Sequence, residues 1–119
     1  MAPIGVLLLA MAALAAGPPA VTQAKLGTAV QNRQLSGENT SFAAGSRVYL
    51  WLELTGGPSD PVTVTWTSPR HASFQTQLDV KGSPWHTWAY KTVDAAGDWQ
   101  VSVTASGGTV LKTLAFSVK

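Results

Sequence analysis

The stretch "DWQVSVTASGGTVLKTLAFSV", residues 98–118, decides the fold class, because it contains two candidate strands joined by a turn. Apolar and polar side chains alternate in both halves, as they do in a strand that buries one face. Gly107 and Gly108 lie between the halves, and glycine tolerates the positive φ of a two-residue hairpin turn. The stretch therefore predicts an antiparallel hairpin with Trp99 and Phe116 on its buried face.

One charged residue interrupts this hairpin pattern. Lys112 falls on the same face as Leu114 and Phe116 if the strand keeps a strict period of two. A β-bulge adds one residue to a strand and so changes the face that the neighbouring side chains occupy. We therefore expect a bulge or a twisted strand end near Leu111.

Three runs upstream of the hairpin have the same period. They are "RVYLWLEL" (residues 47–54), "VTVTWTS" (62–68) and "SFQTQLDV" (73–80). Stretches rich in Gly, Pro, Ser and Asp separate them and indicate turns. The chain after Lys25 shows no helical period, and about seven short strands without a helix predict an antiparallel β-sandwich of immunoglobulin-like type.

The N-terminal segment differs in composition from the rest of the chain. Residues 1–21 contain no Lys, Arg, Asp or Glu, and residues 4–16 form an uninterrupted apolar run. Two prolines and then the small residue Ala24 follow this run. An apolar region of this length ahead of a small residue is typical of a secretory signal peptide.

This composition leaves two interpretations of the N-terminal segment open. A cleaved signal peptide predicts an exported protein in the periplasm or outside the cell. A retained segment predicts a membrane anchor with the domain facing the periplasm. In both cases we expect residues 1–24 to form a hydrophobic targeting helix and residues 25–119 to form the β-sandwich domain.

Composition also argues against several kinds of chemistry. The chain has no cysteine, which excludes disulfides, thiol catalysis and cysteine-based metal sites. Two histidines without a clear third ligand argue against zinc. The net charge is only +2 and no basic run is present, whereas nucleic-acid binding usually needs a basic patch. We expect no metal, no cofactor and no nucleic-acid partner.

Side chains suited to catalysis are few. A Ser-His-Asp triad needs a histidine beside a carboxylate, and the two histidines are His71 and His86. The acidic residues are dispersed and lie mostly next to turns. We therefore expect no catalytic residue. A small hydrolase is the third interpretation, and it would need His71 or His86 within about 3 Å of a serine or carboxylate oxygen.

The segment "SPWHTWAYK", residues 83–91, has aromatic side chains on both faces of a strand. His86, Trp88 and Tyr90 share one face, and Trp85 lies on the other, because side chains alternate along a strand. Trp88 and Tyr90 make the more apolar set, so we expect them in the core and Trp85 on the outer face or at the mouth of the sandwich. The predicted structural core comprises Trp66, Trp88, Trp99 and Phe116.

A candidate binding surface lies on the strand that contains Tyr49 and Trp51. These side chains alternate with the apolar ones of the strand and should project from its other face. Clustered exposed apolar surface usually marks an interaction site, so the pair would contact a protein partner or stack on a sugar ring. The alternative interpretation is that residues 25–46 cover the Tyr49 and Trp51 side chains. The candidate ligand- or partner-binding residues are Tyr49, Trp51, Trp85, His86, Arg47 and Lys91.

The C-terminal part of the chain resembles a known family. Residues 85–119 contain a tryptophan pair three residues apart, then Gly-Asp-Trp-x-Val, Gly-x-Val-Leu and a final Phe-x-Val. In these motifs, and more loosely from Arg47 onward, the chain resembles the bacterial domain-of-unknown-function family 2914. The resemblance implies an exported or membrane-tethered bacterial β-domain and no assigned activity. The matching residues are Trp85, Thr87, Trp88, Lys91, Gly97, Asp98, Trp99, Val101, Gly108, Val110, Leu111, Phe116 and Val118.

Three positions depart from the pattern of that family. His86 stands where the family tends to have arginine, and Ala89 stands where it has serine. Val64 stands where a histidine is expected, two residues before Trp66. If those polar residues form a site in the family, the site is altered in this chain.

Together these features predict a non-catalytic exported module whose aromatic surface binds an envelope glycan or a protein partner. The alternative is a structural or accessory subunit of a larger complex, held at the membrane by an uncleaved N-terminal segment. Contact with a membrane is expected only if that segment is retained.

Overall fold

A computed structural model of the chain describes residues 19–57, 60–70 and 72–119, which are all-β. The predicted targeting helix falls on residues 1–18 and so lies outside the described residues. In the described part, no helix is long and apolar enough to cross a membrane. The strands are β1 (Ala20–Gly27), β2 (Ala29–Gln31), β3 (Gln34–Ser36), β4 (Ser41–Phe42), β5 (Ser46–Thr55), β6 (Val62–Thr67), β7 (Phe74–Leu78), β8 (Trp85–Val93), β9 (Gly97–Thr104) and β10 (Val110–Val118).

The strands form two larger sheets and one small hairpin. One sheet is antiparallel and has the order β1-β5-β8. The second has the order β4-β10-β9-β6-β7, and β4 pairs with β10 in parallel at its edge. β2 and β3 pair with each other as a separate hairpin. The short strands β2, β3 and β4 raise the number above the seven expected, because residues 29–42 lack a long alternating run.

Buried side chains of both larger sheets form one hydrophobic cluster. β5 contributes Val48, Leu50, Leu52 and Leu54, which alternate along the strand. The alternating apolar side chains of β6 and β9 belong to the same cluster. Removing apolar surface from water stabilises a fold by about 25 cal/mol per Å². The alternation seen in the sequence therefore places the core between the two larger sheets.

Phe116 lies at the centre of an aromatic group in this core. Its ring centroid is 5.8 Å from that of Phe42, 6.1 Å from that of Trp66 and 5.9 Å from that of Trp99. Aromatic pairs at such distances add to the stabilisation from burial alone. Trp66, Trp99 and Phe116 are all buried, on the faces that the alternation assigns to them.

The hairpin of β9 and β10 contains the expected bulge and an unexpected loop. The register shifts between Val110 and Lys112, which confirms the bulge and leaves the lysine exposed. The predicted two-residue turn is wrong, because the loop spans residues 105–109. Within it the Gly108 N–H donates to the Ala105 carbonyl oxygen at 2.9 Å, and Gly108 has a φ of 97°.

The prediction that Trp88 and Tyr90 lie in the core is wrong. β8 pairs with β5 so that Ala89 is opposite Leu50, and both are buried. Trp88 and Tyr90 therefore project from the opposite face, whereas Trp85 packs partly against the core. The segment has apolar side chains on both faces, so its alternation does not decide the orientation. The register with β5 does.

Candidate functional site

One face of the β1-β5-β8 sheet is turned away from the core, and we call it the outer face. Because side chains alternate along each strand, the side chains of β5 and β8 that do not point into the core lie on this outer face. Pairing of the two strands then brings aromatic and charged side chains together across the sheet. The opposed pairs are Tyr49 with Tyr90, Trp51 with Trp88 and Glu53 with His86.

The β2–β3 hairpin covers part of the outer face. Its tip residues, Asn32 and Arg33, have φ values of 51° and 63°, the left-handed conformation that a primed two-residue turn requires. The Trp51 indole N–H donates to the Arg33 carbonyl oxygen at 2.9 Å. Trp51 keeps only 9% of its surface exposed. Of the two interpretations of the Tyr49 and Trp51 pair, cover by residues 25–46 is therefore correct for Trp51.

Arg33 is the site residue that sequence reasoning missed. Its guanidinium carbon lies 5.8 Å from the ring centroid of Trp85 and 6.0 Å from that of Trp88, within the range of cation–π contacts. Its Nη2 donates to the His86 carbonyl oxygen at 3.2 Å. Asn32, the residue before Arg33, favours a turn, but no local sequence pattern indicates that this turn lies over β8.

His86 and Glu53 form a polar pair beside Trp51. His86 Nε2 is 2.8 Å from Glu53 Oε2, and the imidazole stacks on the Trp51 ring with centroids 5.1 Å apart. Thr22 Oγ1 donates to Glu53 Oε1 at 2.7 Å. The hydrogen bond from Thr22, followed by that from His86, lowers the pKa of the Glu53 carboxyl below its ordinary value. Glu53 is therefore an anion at neutral pH.

The distance between His86 Nε2 and Glu53 Oε2 meets the criterion stated above for a hydrolase. The surrounding groups indicate instead that Glu53 orients the imidazole of His86. The nearby hydroxyl of Thr22 donates to the carboxylate, so it is not aligned for proton transfer to the imidazole. The other histidine, His71, lies outside the described residues. Within the described ranges no group of three or more His, Cys, Asp or Glu is arranged to hold a metal ion.

A cleft of about 440 Å³ lies between the β2–β3 hairpin and the outer face, and we call it the hairpin cleft. The stacked rings of Trp51 and His86 line its sheet side. Its volume lies within the range of about 300–1,000 Å³ that is usual for small-molecule sites. The polar side chains that line it are Lys25, Asn32, Arg33, Gln34 and Glu38.

Next to the cleft, the outer face carries an uncovered group of three residues, which we call the tyrosine strip: Arg47, Tyr49 and Tyr90. The two tyrosine rings have centroids 5.4 Å apart, and the Arg47 guanidinium carbon lies 4.6 Å from the Tyr90 centroid. Tyr90 is 53% exposed. Arg47 and Tyr90 are therefore exposed, whereas the β2–β3 hairpin covers most of Trp51.

Two predicted binding residues point away from the outer face. Trp85 packs against the core, and its indole N–H donates to the Asp79 carbonyl oxygen at 3.0 Å. Lys91 Nζ lies 4.8 Å from the ring centroid of Phe74 on β7. The predicted set is therefore divided, and Arg33 contacts Trp85 as well as the outer face. The predicted residues that share the outer face are Arg47, Tyr49, Trp51 and His86.

Comparison with known proteins identifies a family. A family model described as a protein of unknown function (DUF2914) matches residues 59–118. No curated protein matches the chain. The match begins later than the resemblance from Arg47 onward would predict. It includes His86 and the rest of β8, whereas Trp51, the tyrosine of β5 and the β2–β3 hairpin precede it.

Proposed function

Because the chain belongs to the DUF2914 family, whose description states no activity, we propose a function from the geometry of its outer face. The protein is a non-catalytic exported module that binds one sugar unit of an envelope glycan in the hairpin cleft. The observation that carries this proposal is the Trp51–His86 stack in a cleft whose other lining residues are mainly polar.

The two sides of the hairpin cleft match the two kinds of surface on a sugar ring. A pyranose presents a face of C–H groups, which packs on an aromatic ring because both are removed from water. Its hydroxyl groups donate and accept hydrogen bonds, and planar amides and carboxylates can satisfy them. Asn32, Gln34 and Glu38 supply such groups beside Trp51 and His86.

The tyrosine strip would extend this site along a glycan chain. Tyr49 lies two residues before Trp51 on β5, and two residues of a strand span about 6.8 Å. This spacing is close to the length of one sugar unit. A glycan with one unit in the hairpin cleft would therefore place its next unit over the rings of Tyr49, which is half-buried, and Tyr90, which is exposed.

We further propose that the two larger sheets form an immunoglobulin-like β-sandwich. The hydrophobic cluster to which both sheets contribute supports this architecture. So do the antiparallel pairings that dominate both sheets. In such a fold the outer face of one sheet is a firm support for a binding site, because its strands are held by the core beneath them.

We also propose that the protein is exported, with a signal-peptide cleavage point that precedes β1. β1 begins at Ala20 and pairs with β5 from there, whereas the expected domain starts at Lys25. Cleavage after Ala24 would remove more than half of β1. We therefore propose that a signal peptidase would cut before Ala20.

The membrane-anchored accessory subunit is the second candidate function. It is favoured by the short distance along the chain between the apolar run, which ends at Ala16, and the first residue of β1, Ala20. A retained segment would hold the domain close to the membrane surface. The glycan site and the anchor are compatible, so the anchor changes the location of the module and not its chemistry.

Calorimetric titration with a panel of soluble envelope oligosaccharides tests the proposed function. We expect saturable binding with a change in tryptophan fluorescence, and loss of both in Gln34→Ala and His86→Ala. Gln75→Ala, on the exposed part of β7, is the matched control and should bind as the wild type does. Absence of binding across the panel, or an equal loss in Gln75→Ala, contradicts the proposal.

A further inference from the structure

The hairpin cleft contains a cation, Arg33, that contacts the outer face through several groups. The Arg33 carbonyl oxygen accepts a hydrogen bond from the Trp51 indole N–H, and Arg33 Nη2 donates one to the His86 carbonyl oxygen. Its guanidinium also rests against the rings of Trp85 and Trp88. Among residues 19–57, 60–70 and 72–119, no carboxylate forms a salt bridge with Arg33. Arg33 is therefore positioned by these contacts and not by a salt bridge.

The guanidinium of Arg33 retains donors for a ligand. Arginine has five N–H donors in a planar fork, and the contact with His86 uses one of them. The fork matches the two oxygens of a carboxylate, and such charge-assisted bonds are stronger than neutral ones. Because these contacts already restrict the Arg33 side chain, a carboxylate would bind it with a smaller loss of conformational entropy than it would bind a surface arginine without such contacts.

The other charges of the hairpin cleft leave Arg33 available. The Glu53 carboxylate is already bound to His86. Glu38 lies toward β1, because it and Lys25 also line a neighbouring depression between β1 and β10. Arg33 instead reaches β8, where it contacts His86. Glu38 is thus at the β1 end of the cleft, together with Lys25, and Arg33 is at the β8 end.

We infer that the hairpin cleft selects a sugar that carries a carboxylate, and that Arg33 binds this carboxylate. The inference rests on the proposed function, because it names the class of sugar for the same cleft. The sugar ring packs on the Trp51–His86 stack, its carboxylate lies at the β8 end of the cleft, and its hydroxyl groups meet the amides of Asn32 and Gln34.

The test compares a uronic-acid disaccharide with its carboxyl-reduced neutral form, titrated into the wild-type protein and into two variants. We expect the wild type to bind the acidic form at least about tenfold more tightly, with a preference that weakens as salt is added. Arg33→Gln should bind both forms equally. Arg70→Gln, which removes an exposed arginine elsewhere, should keep the wild-type preference.

The outcomes separate this inference from the proposed function. Equal binding of both disaccharides by the wild type overturns the role of Arg33 and leaves the glycan site in place. Binding of neither form, in a protein whose circular dichroism shows a folded β-structure, overturns both. The comparison of the two disaccharides in the wild type needs no substitution. It therefore tests the preference for a carboxylate even if Arg33→Gln does not fold.

Discussion

His86 connects three parts of the outer face through three different groups. Its ring stacks on Trp51, its Nε2 bonds to Glu53 and its carbonyl oxygen accepts a hydrogen bond from Arg33. Replacing His86 with arginine would remove the imidazole ring that stacks on Trp51.

The pH dependence of stability should reveal the His86–Glu53–Thr22 network. Hydrogen bonds lower the folded-state pKa of Glu53, so their stabilisation is present above the unfolded-state pKa of about 4.3 and is lost as the pH falls through the folded-state value. We expect Glu53→Gln to lower the free energy of unfolding at about pH 7 and to match the wild type at about pH 2. Urea unfolding at both pH values measures this. The same dependence in Glu38→Gln would attribute it to overall charge.

Two buried tryptophans provide a second comparison at this scale. Trp66 and Trp99 both pack on Phe116. Trp99 Nε1 donates to the Ala95 carbonyl oxygen at 2.8 Å, whereas Trp66 Nε1 is buried and has no hydrogen-bond partner among the described residues. Leaving a buried polar group unpaired costs about 1–3 kcal/mol. We expect Trp66→Phe to lower the free energy of unfolding less than Trp99→Phe, by about 1 kcal/mol in urea titrations. The reverse order would mean that the Trp66 N–H is satisfied.

The β2–β3 hairpin is the element that turns an exposed sheet face into a cleft. It is attached to the outer face by the hydrogen bond from Trp51 and the contacts of Arg33. Without it, Trp51 would be a third exposed ring beside the tyrosine strip. The hairpin therefore determines which aromatic residues a ligand meets on an open surface and which it meets in a cleft.

Replacing Trp51 with Phe tests how the hairpin is attached. Trp51→Phe keeps an aromatic ring beside His86 but removes the donor to the Arg33 carbonyl oxygen. We expect faster amide hydrogen exchange at residues 29–36 and little change in β9, because only the hairpin loses a contact. Trp99→Phe, which removes an indole hydrogen bond to Ala95 away from the hairpin, is the control. Faster exchange of the hairpin in both variants, or in neither, contradicts this attachment.

β1 is the second element with a direct test. Residues 20–24 pair with β5, and Thr22 and Gln23 hydrogen-bond to Glu53. A chain that starts at Lys25 loses these contacts, so its Tm should fall by at least about 4 °C relative to a chain that starts at Pro19. Equal Tm values in differential scanning calorimetry would show that the first half of β1 is dispensable.

For the whole molecule, the site is assembled from both halves of the chain. The family match covers residues 59–118, which supply β8 and its outward residues. The β2–β3 hairpin and β5 come from the part before the match. A property of the matched half therefore does not define the ligand, because every residue that lines the hairpin cleft except His86 lies outside the match.

Intact mass and membrane fractionation of the protein from its native host test export and anchoring. We expect a mature protein in the soluble exported fraction whose first residue precedes Ala20, because β1 begins there and cleavage follows an apolar region. A full-length mass in the membrane fraction would establish the anchored alternative. A first residue at Lys25 would contradict the cleavage point argued from β1.

Sequence reasoning succeeded where one face of a strand was clearly apolar. The alternation around Trp66 and Trp99 placed both in the core, and Lys112 on an apolar face indicated the bulge that the register confirms. It failed at Trp88, because β8 carries aromatic residues on both faces. It also missed Arg33, because the contacts of this side chain are with strands far away in the sequence.

The sequence by itself determined the all-β class, the position of the connection between β9 and β10 and most of the core, because these follow from local alternation and from residues that favour turns. Only the tertiary structure decided which face of β8 is buried, that the β2–β3 hairpin covers Trp51, and that Arg33 reaches His86. The physical reason is that strand register and hairpin docking depend on contacts between distant segments. No local pattern contains that information.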